Sequence, residues 1–394
     1  MDFQFSKETI KLREEVRAFL DKEWPTENRN WRGWEQPTDE EFLKKAAVLN
    51  EKLAAKGWLA MSFPKEYGGL GRTLEENYIF HQELLRAHGP NLKAGCCVLL
   101  GPIILRFGNE EQKKRFGTLL AQGKMDLCLG YTEPNAGSDL ASLTLKAVRD
   151  GDHYVINGQK IYTTNAHVVS HCFLLARTDP KVSKHKGLSL FVVDMKTPGI
   201  TIRPINCLGD VRTNETFWDN VKVPVADRLG EENMGWRYVT AALDSERIWV
   251  YNTIWVRTLY DDVISYVKTA EHDGWKARED PYIRTKMAQI NIELEVCQVL
   301  EYNMVYQMSH GKMPYAEASM LKVHATEMYQ RMTDIMTQAL GPYSQLLRGV
   351  PGSPVDGNLL EQHESSIGAT FLGGASAIQR TIIANAGLQL PPAP

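Results

Sequence analysis

The 394-residue chain is predicted to be an α+β protein, with an N-terminal helical domain over 1–125, a central antiparallel β-barrel domain over 126–240 and a C-terminal helical domain over 241–394. Three observations predict this. Apolar residues recur at helical spacing up to about residue 125. From there to about residue 240 the pattern changes to short β-rich runs, such as 173–176, 188–193 and 200–202, separated by Gly, Pro and Asn turns. After Gly235-Trp236 helical spacing returns and persists to about residue 385.

In the first region Phe3, Phe5, Ile10, Leu12, Val16, Phe19 and Leu20 fall near helical spacing, and Ser6 with Glu8 and Thr9 marks a helix start. Trp24, Trp31 and Trp34 stand among Pro, Asn and Gly, which predicts a loop with aromatic plugs. No basic stripe interleaves them, so they read as packing residues and not as a platform for stacked bases. Asp39-Glu40-Glu41 opens the next helix, which carries Leu43, Leu49 and Leu53. A turn-rich connector follows at 57–71, then a helix through 80–85. His81 and His88 lack a third ligand at metal spacing and read as ordinary polar helix residues, so no metal site is predicted. Residues 99–125 read as two helices broken at Gly108-Asn109.

In the β-rich region Leu127, Cys128 and Leu129 predict a buried strand. It leads through Gly130, Tyr131 and Thr132 into the tight loop Ala136-Gly137-Ser138-Asp139, which offers N–H groups and hydroxyls to a close ligand. Taken alone, such a Gly/Ser/Asp loop is commonplace. The next segment carries Asp150-Gly151 and Asn157-Gly158 between β-rich runs, two hairpin signals, and ends in Tyr162-Thr163-Thr164-Asn165. Later helices carry Leu243, Ile254, Leu259, Val263 and Val267, then Met287, Ile290, Leu294 and Leu300, without heptads long enough for a free coiled coil. Residues 341–358 form a Pro/Gly-rich loop, and the last helix begins within 373–384.

The formal charge is −3 with no block of like charges, which favours neither nucleic acid nor an anionic membrane as partner. No apolar run approaches the ~20 residues of a membrane-spanning helix. The N-terminus, with Asp2, Glu8, Glu14 and Glu15, matches neither a signal nor a transit peptide. The six cysteines show no C-x-x-C spacing and read as buried thiols of a reducing compartment, so a cytoplasmic location is expected.

T-E-P-N-A-G-S-D at 132–139 and K-I-Y-T-T-N at 160–165 resemble the motifs that lie against the flavin in the acyl-CoA dehydrogenase family. Three further stretches match in the family's order: the tryptophan-to-glycine pattern at 58–71, G-x-E-E-Q-K-x-R-F at 108–116 and the strand at 216–224. The resemblance spans almost the whole chain. It implies a C-terminal four-helix bundle that mediates dimer and tetramer contacts. It also implies FAD as cofactor, an acyl-CoA as substrate, a trans-2-enoyl-CoA as product and electron-transferring flavoprotein as electron acceptor. Such chemistry needs a carboxylate of raised pKa in a dry site and a polarised thioester carbonyl.

Many family members carry the base as Glu in a Y-E-G-T motif before the last helix, but this chain reads Phe371-Leu372-Gly373-Gly374 there. Gly373 cannot be a base, although its N–H keeps the family's role of donor to the thioester carbonyl. Some relatives place the base directly before the Arg of an L-D-x-E-R motif, and Glu246 of Asp244-Ser245-Glu246-Arg247 matches that position. By the same resemblance Leu129, Tyr131, Thr132, Ser138, Tyr162, Thr163, Thr164 and Gly341 contact FAD. Tyr162 stacks on the flavin ring and Thr164 hydrogen-bonds it. Ser138, Asp244 and Arg247 meet the pantetheine or CoA.

Two departures stand out. The stretch 271–276 lacks the Arg that in many relatives crosses the dimer interface to the FAD pyrophosphate, and Ala375-Ser376-Ala377 replaces the T-x-E/Q after the base. With Gly341-Pro342 in place of a G-G-x-G loop, these resemble the subgroup acting on bulky or dicarboxylic acyl-CoAs, the bacterial steroid side-chain and pimeloyl types, often built from two unlike subunits. A medium or long, branched or bulky acyl group is therefore expected. The alternatives are a non-catalytic subunit that completes a partner's FAD site and a family-like flavin monooxygenase.

Overall fold

Capping side chains set the helix starts of the N-terminal region in the computed structural model, which describes residues 5–29, 37–250, 253–271 and 274–391, with the backbone alone for 244–250. Helix α1 (Lys7–Glu23) begins where the Ser6 hydroxyl accepts the Thr9 N–H at 3.1 Å, and it buries Leu12, Val16 and Leu20 on one face. Helix α2 (Glu40–Ala55) begins at Asp39, whose carboxylate accepts the Phe42 N–H at 2.9 Å. A Thr73/Glu76 capping box opens α3 (Leu74–Arg86). Helices α4 (Leu92–Leu99) and α5 (Gly101–Phe107) follow. The expected break at Gly108-Asn109 is present, because Asn109 and Gln112 cap each other to open α6 (Glu110–Gln112). A π turn at Lys113–Gly117 carries that helix into α7 (Thr118–Ala121).

Trp24 packs in the core with its indole N–H donating to the His88 carbonyl at 3.1 Å; Trp31 and Trp34 lie outside the described residues. His81 lies on α3 as expected, whereas His88 falls two residues past its end. Both are buried, and burial pushes the His81 imidazole down to about 3, so it is neutral at physiological pH.

The central strands are β1 (Leu127–Gly130), β2 (Lys146–Asp150), β3 (His153–Lys160), β4 (His171–Arg177), β5 (Leu188–Asp194), β6 (Ile200–Asn206), β7 (Arg212–Pro224) and β8 (Arg228–Leu229). They form an open sheet in the order β6-β7-β3-β2-β4-β5-β8, with β1 paired to β4. This corrects the expected antiparallel barrel on two counts. Strands β6 and β8 are unpaired edges, so the sheet does not close, and β1 runs parallel to β4. The two halves meet at a single parallel pair, Lys146 with Arg177. Between them lies a core that includes Tyr154, Ile156, Leu174, Phe191, Trp218 and Val221.

Asp150-Gly151 makes the expected hairpin, with Asp150 opposite His153 and Gly151 at φ +61. Asn157-Gly158 does not. It lies within β3, where the pairing with β7 slips between Ile156 and Gly158. Gly158 has φ +144, and a Cβ there would sit 3.0 Å from the Leu145 Cα, so this glycine serves a bulge and a close backbone approach.

The C-terminal region contains α8 (Gly235–Val250), α9 (Ile254–Thr269), α10 (Pro281–Ser309), α11 (Tyr315–Leu340), α12 (Asn358–Ala369) and α13 (Ser376–Ile382). Helix α8 packs against α4, α5, α10, α11 and β5, and so touches all three regions. Tyr78 and Ile79 of α3 share a core with α9, α10 and α11. Inside it Glu301 is buried, accepting from the Tyr78 hydroxyl at 2.6 Å and from the N–H and hydroxyl of Thr253 at 2.7 Å each. Burial outweighs these donors and pushes Glu301 up to about 7. The folded pKa thus exceeds the ordinary carboxylate value. The stabilisation from holding that proton is complete below about 4.5 and is lost as pH rises through about 7.

Glu301→Gln is neutral at every pH and retains an acceptor for Thr253. The Tm of the variant minus that of the wild type should therefore rise between pH 5 and pH 8 in thermal unfolding. A difference independent of pH would show that Glu301 is ionised throughout.

Candidate active site

Two segments that the sequence places far apart in pattern are joined by one buried ion pair. Strand β1 ends at Gly130, where a Cβ would lie 2.6 Å from the Cys172 sulfur, and the chain turns out through Tyr131 and Thr132. Strand β3 ends at Lys160. Lys160 is fully buried, and its Nζ donates to the Tyr131 carbonyl and to Glu133 Oε1, each at 2.9 Å. Glu133 also accepts from the Thr144 N–H at 2.7 Å, the Thr144 hydroxyl at 2.9 Å and the Leu145 N–H at 2.8 Å. Burial works against the Glu133 carboxylate, but Lys160 and these donors outweigh it and hold Glu133 below the usual carboxylate range. Burial brings the Lys160 ammonium down to about 8, with Glu133 opposing. The pair is ionised at neutral pH.

This clamp fixes a continuous strip of candidate residues. The Thr132 carbonyl accepts the Ile161 N–H at 2.9 Å. Leu129 and Thr132 are half-buried and Tyr131 is buried. Tyr162 sits at φ +57, a strained position for an aromatic residue, with its side chain 56% exposed. Thr163 is held through its backbone by Asn214, N–H to carbonyl at 2.8 Å and carbonyl from the Asn214 amide at 3.0 Å. The Thr163 hydroxyl is buried without a hydrogen-bond partner among the described residues. Thr164 shares a 3.0 Å hydroxyl contact with Thr213. Ser138 is exposed in the loop beyond, beside Asp139, which pairs with Lys184 at 2.8 Å.

An exposed ring on a strained backbone, backed by neutral hydroxyls and carbonyls, fits a planar heteroaromatic group with polar edges. The isoalloxazine of FAD is such a group. The Thr163 hydroxyl, unpartnered among the described residues, and the open space around Gly137 agree with it. The donor set for a pyrophosphate is poorer: Lys276 faces Glu271 at 3.4 Å and Glu279 at 3.8 Å.

The remaining candidates lie in the C-terminal helices. Asp244, Glu246 and Arg247 are on α8, with side chains outside the described residues. Gly341, at φ +58, ends α11. Gly373 is exposed in the turn between α12 and α13, also at φ +58. Sequence reasoning assigned no role to Glu133, Lys160, Asn214 or Lys322. A signal for Lys160 was available, since it has the same parity along β3 as the buried Tyr154 and Ile156.

Residues 6–124, 128–221 and 233–388 match the family models described as the N-terminal, middle and C-terminal domains of acyl-CoA dehydrogenase. The chain is 36% identical over 349 residues to acyl-CoA dehydrogenase FadE29 of Mycobacterium tuberculosis, covering 87% of this chain and 88% of that one. It is 31% identical over 388 residues to acyl-CoA dehydrogenase IpdE1 of the same organism, covering 96% and 97%. Among solved structures, the Tcur3481-Tcur3483 steroid ACAD superposes with a TM-score of 0.89 at 32% identity, covering 100% of both chains. The ChsE4-ChsE5 complex from Mycobacterium tuberculosis gives 0.88 at 31% identity, again over 100% of both.

Lys160→Met leaves the Glu133 carboxylate buried without its counter-charge. Removing one partner of a buried pair costs about 3–5 kcal/mol. Denaturant unfolding should show a loss of that order, with weaker retention of FAD because Tyr131 and Tyr162 lose their common anchor. An unchanged midpoint would mean that the pair contributes nothing.

Proposed function

The chain belongs to the acyl-CoA dehydrogenase family, FAD-dependent oxidoreductases acting on acyl-CoA thioesters, and from that premise we propose how its residues divide the chemistry and what acyl group they take. Glu246, on α8, removes the α-proton. The Gly373 N–H donates to the thioester carbonyl and so acidifies the α-carbon. FAD, when bound, supplies the two-electron acceptor for the β-hydride. Tyr162 stacks on its ring, Thr132 and Thr164 meet its polar edge, and Leu129, Tyr131, Thr163 and Gly341 complete the wall. Ser138, Asp244 and Arg247 hold the pantetheine. The observation that carries the reading is the strip from Tyr131 to Thr164, locked by Lys160 and Glu133 with the Tyr162 ring outward. A three-domain division with breaks near residues 125 and 240, and a four-helix bundle formed by α8 to α11, belong to the same reading.

The likeness to a steroid ACAD supports a bulky, branched or steroid-derived acyl group. Electron-transferring flavoprotein is the proposed acceptor and the cytoplasm the proposed location; among the described residues no helix is long and apolar enough to cross a membrane. Helix α10 favours an oligomer. Ile292, Val296, Val299 and Tyr306 recur on one face of it and are exposed, an apolar stripe suited to another subunit of this fold. The lack of an arginine at 271–276 favours an unlike partner that completes the pyrophosphate site, and both similar structures come from two-component assemblies.

Anaerobic addition of a bulky acyl-CoA should bleach the flavin absorbance of the purified assembly. Glu246→Gln should slow that bleaching about 10²–10⁴-fold with FAD content retained. Bleaching at the wild-type rate would remove Glu246 from the mechanism, and no bleaching of wild type by any acyl-CoA would remove the dehydrogenation itself. Val296→Asp with Val299→Asp should lower the mass in light scattering and loosen FAD. An unchanged mass would exclude this face as the interface.

A further inference from the structure

The turn that carries Gly373 is held in place by a lysine. Lys322, on α11, is fully buried, and its Nζ donates to the Thr370 carbonyl at 2.8 Å. Ser376 donates to the same carbonyl twice, from its N–H at 2.9 Å and its hydroxyl at 3.2 Å. On the other side Gln379, also fully buried, donates its amide to the Gly374 carbonyl at 3.4 Å. Between these anchors Gly373 and Gly374 take φ +58 and +91 in succession, and both are exposed. Their N–H groups make no hydrogen bond with the described residues.

Each feature has a physical consequence. A fully buried donor side chain is held to its acceptor because an unmade bond there is costly, so the Lys322 amine restricts the Thr370 carbonyl strongly. Two successive positive-φ glycines make a tight turn whose exposed N–H groups, unpaired among the described residues, can donate to an incoming oxygen. A donor to a developing oxyanion is effective only if it is already in position when the charge appears.

We propose that Lys322 is a positioning residue for the dehydrogenation: by anchoring Thr370 it fixes the Gly373–Gly374 turn in the conformation that offers the Gly373 N–H to the thioester carbonyl. This rests on the reading of Gly373 as the carbonyl donor. Helix α11, which carries Lys322, packs directly on α8, which carries Glu246, so the donor and the base are set by neighbouring helices.

The test uses the FAD-loaded assembly as purified, in wild-type, Lys322→Met and Ser376→Ala forms, with a chromophoric arylacryloyl-CoA whose absorbance moves to the red when its thioester carbonyl accepts hydrogen bonds. Wild type should shift the probe. Lys322→Met should still bind probe and FAD but lose at least half of the shift. Its kcat should fall about 10- to 100-fold with KM within about threefold, the pattern of a donor displaced from a transition-state contact. Ser376→Ala should change both in the same direction and less. A merely structural lysine would lower Tm and leave the red shift of the folded, FAD-loaded variant intact, and that result overturns the proposal. If Lys322→Met does not fold, Ser376→Ala decides, and an unchanged shift there also overturns it. A wild-type protein that binds the probe with no red shift refutes instead the assignment of Gly373 as donor.

Discussion

The candidate flavin strip depends on the burial of one ion pair. Lys160 and Glu133 lie 2.9 Å apart, away from water, at the junction of the chain leaving β1, the start of β2 and the end of β3. A pair of this kind is a weak source of net stability, because each ion loses its hydration before it gains its partner. Its effect is on uniqueness. A one-residue slip of β3 would turn Lys160 outward and leave Glu133 bare inside the protein, so the register that presents Tyr162 carries a large energetic preference. The same pair lets Tyr162 keep φ +57, since the chain is anchored at Lys160 before it and through Asn214 to Thr163 after it.

Two buried lysines thus do parallel work at different ends of the sequence. Lys160 holds the Tyr131 carbonyl, and Lys322 holds the Thr370 carbonyl. Each side chain fixes a backbone segment next to residues proposed to meet the reactants: Thr132 and Tyr162 in one case, Gly373 in the other. In both, the lysine is fully buried and sets the geometry of a backbone carbonyl from within the protein.

The helix starts at Ser6, Asp39 and Asn109 were legible in the sequence because a cap is a local event, one side chain and one N–H three residues on. The Asp150-Gly151 hairpin was legible for the same reason. Asn157-Gly158 carries an equally strong local signal, but the long β7 pairs across it and turns it into a bulge. Closure of the sheet was not legible, because it depends on whether the edges β6 and β8 find partners, and periodicity within a strand is silent on that. The candidate site shows the same division. Motif residues such as Thr132, Ser138 and Tyr162 could be named, whereas Lys160, Glu133 and Lys322 had no assigned role until the fold brought each to its carbonyl or counter-charge. His81 read as an ordinary polar helix residue, and every neighbour from Glu76 to Leu85 in that helix is buried.

Gly373 is more than a position where a carboxylate is missing. At φ +58, followed by φ +91, the turn has a conformation that glycine adopts freely and a residue with a Cβ adopts at a cost. Moving the base to α8 therefore does two things together under the proposed mechanism. It frees the turn to be shaped wholly for the thioester carbonyl, and it places the proton acceptor on a helix that α4, α5, α10, α11 and β5 hold on several sides. The base and the oxyanion donor then occupy separate supports, so each is fixed by its own packing, and the space a glutamate would fill beside the last helix is left to the acyl group.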